Sequence, residues 1–324
     1  MSIKTSRSGN GTDTATAAAE SKFIKALTLT DATMLVAGTM IGSGIFIVSS
    51  TIAGLVLTPF WLIAVWVLTG VITLLGALAY GELAAMFPRA GGQYVFLRES
   101  MGPVVGFLYG WTLFVVIQTG TVAAVAVAFG KFLGVLWPAM TPDLYSWFPH
   151  FSFTLTGAPV NVGLSPQRVA ALVTVWVLTW INIRGVRQGK LVQTTLTIAK
   201  VGVLALLVIL GLTVGRNATA IMANFGAGNF APHVDLNGAF VLAFGAAMVG
   251  SLFSSDSWNN VTFAAAEVQN PKRNLPLALA LGAGSVTVLY ILANFAYLSV
   301  LPMHGTAAGT TVLARGIQFA TQQR

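Results

Sequence analysis

Asp31-Ala-Thr-Met-Leu-Val-Ala-Gly-Thr-Met-Ile-Gly-Ser-Gly-Ile-Phe46 is the stretch on which the reading of this chain turns. It is apolar enough to enter a bilayer, yet its middle is Gly42-Ser43-Gly44, about 16–20 Å from its start at helical rise. Glycine and serine are poor helix formers, and serine competes for its own backbone. A second apolar stretch is interrupted in the same manner at Gly250-Ser-Leu-Phe-Ser-Ser-Asp-Ser-Trp-Asn-Asn260. Irregular backbone at membrane depth is tolerated only where it lines a cavity or is buried in protein. Two interrupted spans in corresponding positions of two halves point to a binding site at the midplane.

The surrounding composition makes the solvent lipid. Of 324 residues 56% are hydrophobic and only 8% charged, where a soluble domain carries about a quarter charged. Soluble catalysis, intrinsic disorder and nucleic-acid binding are thereby poor readings. Apolar stretches long enough for a hydrocarbon core of about 30 Å fall at 31–55, 59–86, 103–136, 167–183, 191–214, 237–265 and 276–301. The chain reads as an all-α polytopic membrane protein with seven spans. The third is longer than a crossing needs and is expected to tilt or to continue beyond the bilayer. Residues 1–26 read as a disordered tail, because they are rich in Ser, Thr, Ala and Gly and lack a signal peptide's apolar core.

The pI near 10.1 is a topology signal. With the tail inside, inner segments hold Lys4, Arg7, Lys22, Lys25, Arg89, Arg98, Arg184, Arg187, Lys190, Lys272 and Arg273. Outer segments and span ends hold Lys131, Arg168, Arg216, Arg315 and Arg324, so eleven stand against five. Positive charge concentrates on the cytoplasmic side. The expectation is a cytoplasmic N-terminus in the cell (inner) membrane.

The absence of cysteine removes disulfides, thiolate metal sites and cysteine nucleophiles together. His150, His233 and His304 are far apart and lack metal-ligand spacing, so neither a metal nor a cofactor is called for. An enzyme is disfavoured as well, since Ser43 in Gly-Ser-Gly has no G-x-S-x-G context. Gly38/Gly42, Gly106/Gly110, Gly130/Gly134 and Gly211/Gly215 match G-x-x-x-G, whose plain reading is helix packing. Two charges resist that plain reading. Asp256 lies in the second break, where it either caps a helical half beginning near Trp258 or meets a ligand. Lys200 lies about 14 Å into the fifth span, too deep to snorkel easily to either end. A cation at that depth costs about 3 kcal/mol on insertion scales, and by default it faces the bundle interior in a functional role. Asn217-Ala-Thr219 is an outer-loop sequon of little weight.

Four collinear motifs resemble the amino acid–polyamine–organocation superfamily, most closely its L-type amino acid transporter branch. They are Gly38-Thr-Met-Ile-Gly-Ser-Gly-Ile-Phe46, Tyr80-Gly-Glu-Leu83 with Pro88-Arg-Ala-Gly-Gly-Gln-Tyr94, Phe253-Ser-Ser-Asp-Ser-Trp258, and Glu267-Val-Gln-Asn-Pro-Lys-Arg-Asn-Leu-Pro276. The resemblance implies a LeuT-type five-plus-five inverted repeat with helices one and six broken. Residues 27–214 would form the first five-helix repeat, 237–301 the start of the second, and 302–324 an outer loop before a missing eighth helix. The expectation is therefore a permease truncated after about seven helices, whose full second repeat would run roughly a hundred residues further.

Function follows by the same resemblance: secondary active transport of amino acids, sodium-independent, by exchange or proton symport. Met40, Gly42, Ser43 and Gly44 would serve the substrate carboxylate, Phe253 would lie over the substrate as an outer gate, and Ser255 and Asp256 would stand near the amino group. Lys200 resembles a fifth-helix lysine standing near where sodium-coupled relatives hold sodium. The chain departs from the family at Ser255, where an aromatic is usual, and at Ser257, where glycine is usual. A polyamine or amine carrier and a non-transporting permease fragment are the alternatives. Some animal relatives hold an ancillary glycoprotein through an outer-loop cysteine, and a chain without cysteine has no such disulfide-linked subunit.

Overall fold

The computed structural model describes residues 25–143, 149, 151–155, 158–184 and 186–303. Nearly all of the expected tail at 1–26 and of the expected loop at 302–324 lies outside the described residues, as do His150 and His304.

Polar caps start most of the long helices. Helix α1 (Leu29–Met40) opens on a capping box: the Asp31 N–H donates to Thr28 Oγ1 at 3.3 Å, and the Thr28 N–H donates to Asp31 Oδ2 at 2.9 Å. It ends at Met40, and α2 (Gly44–Val56) begins after a break of three residues at a bend of 45°. Helix α3 (Pro59–Met86) has Thr58 as its cap and Pro59 at its first position, where a missing N–H costs nothing. The short α4 (Gln93–Met101) follows. Helix α5 (Pro103–Leu136) is one 34-residue run containing a π-helical segment, Leu113–Gln118. Helices α6 (Pro166–Ile183), α7 (Val186–Leu212) and α8 (Ala218–Phe225) come next. Helix α9 (Gly238–Ser254) is capped by Asn237, which accepts from the Phe240 N–H at 2.9 Å. A 3₁₀ segment, Trp258–Glu267, continues α9 after a break, and α10 (Pro271–Val300) completes the series.

Five helices are long and apolar enough to cross a membrane, Pro59–Met86, Pro103–Leu136, Leu191–Leu212, Gly238–Glu267 and Pro271–Val300, and the bent α1–α2 pair makes a sixth. The seventh expected span, 167–183, forms as α6 but is not among them. Its first turn carries Gln167 and Arg168, which leaves about 15 apolar residues and roughly 22 Å, short of the hydrocarbon thickness. Beside the helices the described residues hold one hairpin, β1 (Phe151–Leu155) with β2 (Ala158–Val162), antiparallel with Phe153 opposite Val160.

The described residues fall into two compact units, one of those up to Val95 and from Leu191 onward, the other of those from Phe96 to Lys190. In the second unit, α5 meets α6 through a small residue: a Cβ on Gly130 would stand 2.5 Å from the Gln167 carbonyl oxygen. The first unit holds the candidate site. Its core is where α1, α3 and α10 pack, with Val36, Val65, Trp66, Leu275, Leu279 and Tyr290 all buried. Small residues permit the approach here too, since a Cβ on Gly282 would strike Val36 and one on Gly70 would strike Thr287. Outward, by contrast, Leu75, Val214 and Leu242 are exposed at 61%, 85% and 77%. In water such surface would aggregate, whereas in a bilayer it is solvated.

Candidate functional site

Both breaks expected from the sequence are present, and they face one another. In the first, Ile41 leaves the helix in extended geometry and Ser43 precedes α2 without a side-chain cap. Among the described residues no hydrogen bond engages the N–H groups of Ser43, Gly44 or Ile45. They are the unsatisfied donors that any helix presents at its start, on the end carrying the positive pole of the dipole. Gly42 and Ser43 are exposed, Gly44 is half-buried and Met40 is buried.

The two glycines do different jobs. A Cβ on Gly42 would meet nothing within 4 Å, so helix packing does not account for it. A Cβ on Gly44 would stand 2.3 Å from Ser254 Oγ and 3.2 Å from Ser254 Cα, so α2 and the end of α9 touch at a point only glycine allows.

The second break runs from Ser255 to Ser257. Ser255 is buried, and its N–H reaches back to the Ser251 and Leu252 carbonyls at 3.0 and 3.1 Å. Ser257 has φ +70°, in the left-handed region that favours glycine, which is the residue usual in the resembling family. Ser257, not Asp256, is the residue before the 3₁₀ segment, and it provides no side-chain cap. The capping alternative for Asp256 is thus not realised: its carboxylate is exposed, without a hydrogen bond or ion pair among the described residues. Phe253 is 78% exposed on the last turn of α9.

Lys200 faces the interior of the first unit. Its Nζ donates to the carbonyl oxygens of Gly38 at 2.5 Å and Ile41 at 2.9 Å. Carbonyls in the last turn of a helix have no partner within it, and that end carries the negative pole. The ammonium therefore caps the C-terminal end of α1. Gly38 makes room for this, since a Cβ there would stand 2.0 Å from Thr197 Oγ1 on the same face of α7.

Further hydroxyls, given no role by the sequence, brace the breaks and the helices around them. Tyr290, buried on α10, donates its phenolic O–H toward the Met40 carbonyl at 3.0 Å and the Ser254 carbonyl at 3.3 Å. Thr39 Oγ1 lies 2.9 Å from the Ser257 carbonyl oxygen. Thr69 on α3 and Ser251 on α9 share a hydrogen bond of 2.6 Å. The available signal was a hydroxyl inside an apolar span, which in lipid must find an acceptor.

At one end of these helices the motif residues Tyr80, Gln93 and Trp258 cluster. The Gln93 Nε2 donates to the Tyr80 hydroxyl at 2.7 Å, and the Tyr80 and Trp258 rings meet edge to face at 5.0 Å. Leu27 forms a parallel bridge with Val268.

Comparison with known proteins identifies the family. A family model described as amino acid permease matches residues 27–322. The mouse b(0,+)-type amino acid transporter 1 is 30% identical over 271 residues, covering 82% of this chain and 50% of the relative. The serine/threonine exchanger SteT of Bacillus subtilis (strain 168) is 31% identical over 277 residues, covering 86% of this chain and 55% of the relative. The rabbit large neutral amino acids transporter small subunit 2 is 30% identical over 289 residues, with 89% and 50% covered. The chain thus spans about half the length of the curated relatives it matches. With broken helices, apolar spans and a family match over nearly its whole length, this multi-pass membrane chain belongs to the amino acid permease family, on the L-type side of the amino acid–polyamine–organocation superfamily.

Proposed function

We propose that the chain carries the substrate site of a secondary amino acid transporter, an α-amino acid being held between the breaks at Ile41–Ser43 and Ser255–Ser257. The observation that carries this reading is the apposition of the two breaks through Gly44 and Ser254, with the Ser43–Ile45 amides unengaged. Those amides, at the positive end of α2, suit a carboxylate. Carbonyls of the second break suit the ammonium of the same zwitterion. Gly42, Ser43 and Gly44 serve the carboxylate side, with Met40 beside them, while Ser255 and Asp256 serve the ammonium side. Phe253 closes over the site when the outer path shuts.

Residues 27–214 act as the first five-helix repeat and 237–301 as the opening of the inverted second, with access alternating by rocking of one helix bundle against the other. The N-terminus is cytoplasmic and the protein lies in the cell membrane, a reading supported by the eleven-to-five division of basic residues. Lys200 supplies a fixed positive charge at the end of α1, so no sodium ion is required there. The names of the matched relatives include an exchanger, which favours exchange as the mode of transport. The exposed Asp256 carboxylate favours a second reading, an amine carrier. The Lys200 charge, held against the first break, opposes it.

Proteoliposomes loaded with unlabelled leucine, alanine, arginine or putrescine test the choice by counterflow of the labelled compounds. Accumulation of labelled amino acid, independent of sodium and unaffected by putrescine, is the expected result. Uptake of putrescine alone would replace the amino acid reading with the amine one.

A further inference from the structure

A cleft that includes no residue of either break lies within the second unit, between α5 and α6. It has a volume of about 630 Å³, and its floor is Ala126 and Ala171, both buried. Its walls are apolar and exposed, Phe114, Val122 and Leu172 among them. Gly130 lets α5 close on the Gln167 backbone at one end. From there the cleft follows α5 through Val127 and Val122 to Phe114 in the π-helical segment, about 20 Å at helical rise. One leaflet of hydrocarbon is about 15 Å deep, so the cleft is at least as long as a leaflet.

The end near Gly130 is charged. Arg168 lines it, half-buried, and donates from Nη1 to the Gly163 carbonyl at 2.5 Å. Lys131 stands one helical turn beyond Val127 on the same stripe of α5 and is exposed. Against these two cations the loop that packs on Gln167 carries one carboxylate, Asp143. Arg168 also lies in the first turn of α6, which holds no acidic residue, so its charge adds to the positive pole of that helix. The helix gains nothing from a cation at that end, whereas an anion seated on Arg168 is favoured by both charge and dipole.

We propose that this cleft binds an anionic phospholipid of the surrounding bilayer, one acyl chain lying along α5 and the phosphate resting on Arg168 with Lys131 beside it. A volume of 630 Å³ spread over about 20 Å leaves a mean cross-section of about 30 Å². A helix about 10 Å across needs roughly 80 Å², so a hydrocarbon chain fits where a helix does not. A guanidinium takes a phosphate through two parallel bonds. A zwitterionic phospholipid supplies the chain but brings its own cation to the two basic residues, and a soluble anion leaves the apolar walls uncovered. The site is independent of the amino acid reading, since it shares no residue with the breaks.

The test is photolabelling of the purified full chain in phosphatidylcholine vesicles. They contain a trace of phosphatidylglycerol with a diazirine midway along one acyl chain, and mass spectrometry reads the labelled residues. The expected result is label concentrated on the cleft walls, Val122 and Leu172 among them, and much weaker label there when phosphatidylcholine carries the diazirine. Arg168→Gln should lower the phosphatidylglycerol labelling about fivefold, the equivalent of the roughly 1 kcal/mol that a basic residue contributes toward an anionic lipid. Arg168→Lys, which keeps the charge, should retain most of it. Val122→Trp puts a large ring on an exposed wall and should remove the label from Leu172. Equal labelling by the two lipids makes the contact that of ordinary solvating lipid and overturns the proposal. Labelling that Arg168→Gln leaves unchanged overturns it as well, and so does label spread evenly over the outward faces of α5 and α6. If Arg168→Gln fails to fold, Val122→Trp decides: unchanged label at Leu172 overturns the proposal, and its loss upholds the cleft as the place where the chain lies.

Discussion

Replacing Lys200 with alanine separates what this side chain does for the fold from what it does for the site. The ammonium makes two bonds, 2.5 Å to the Gly38 carbonyl and 2.9 Å to that of Ile41. Charge-assisted hydrogen bonds contribute about 1.5–3 kcal/mol each, and a cation at a helix C-terminus gains roughly 0.3–1 kcal/mol more. Against this stands a cost of about 3 kcal/mol for holding a cation at membrane depth. The net is about 0–4 kcal/mol in favour of the lysine, so Lys200→Ala is expected to lower overall stability by no more than about 4 kcal/mol. The local effect is larger in kind. Two carbonyls at the end of α1 lose the only side-chain donor they have among the described residues, and the geometry that aims the Ser43–Ile45 amides is no longer fixed. Purified wild-type and variant chains are compared by thermal melting and by equilibrium binding of labelled amino acid, with and without sodium. The account expects the variant to fold, to bind at least about tenfold more weakly, and to regain part of that binding in sodium, because carbonyl oxygens and a negative dipole end then face a place without a charge. Sodium should leave the wild type unaffected. Unchanged binding and exchange in Lys200→Ala would refute the functional role of the lysine.

The other expectations concern the breaks and caps. Gly44→Ala drives a methyl into Ser254 and should cost about 1–3 kcal/mol, lowering the melting temperature and weakening binding, while Gly42→Ala, with open space around it, should melt within a few degrees of wild type. Ser257→Gly relieves a left-handed residue at about 1 kcal/mol, partly offset by the unfolded-state entropy of glycine, so a small rise in melting temperature is expected and a fall would contradict the strain. Asn217 accepts from the Thr219 and Ala220 N–H groups at 3.0 and 3.4 Å. Asn217→Ala should therefore destabilise α8 by about 1 kcal/mol, read as faster amide exchange in that helix alone. The cysteine-free background makes orientation simple to check: in whole cells a membrane-impermeant maleimide should modify Arg216→Cys but not Arg184→Cys, and the reverse pattern would invert the topology.

Much of this arrangement was legible in the chain because lipid leaves few choices. Gly42-Ser43-Gly44 and Ser254–Ser257 interrupt spans that have no other reason to be interrupted, and both are broken in the fold. Lys200 was legible for the opposite reason, since a buried cation must have acceptors. Which acceptors was not legible, because the Gly38 and Ile41 carbonyls depend on how α7 lies along α1. Tyr290, Thr39 and Thr69 escaped for a related cause: hydroxyls are common enough in apolar helices that only their distant partners give them meaning. Span 167–183 forms as a helix, but the polar turn at Gln167 and Arg168 shortens its apolar run, so it does not stand among the helices long and apolar enough to cross. The hairpin at Phe151–Val162 was written in the alternation of Phe151-Ser-Phe-Thr-Leu155, which is easily passed over among long helices.

The central claim is that two broken helices hold both charged ends of one α-amino acid. Competition binding on the purified chain tests it most directly, with labelled L-leucine displaced by leucine, by leucinamide, which lacks the carboxylate, and by isocaproate, which lacks the amine. Loss of either end forfeits about two charge-assisted bonds, so each analogue should compete at least about 100-fold less well than leucine. Leucinamide or isocaproate competing as well as leucine would show that one of the two breaks plays no part in holding the substrate.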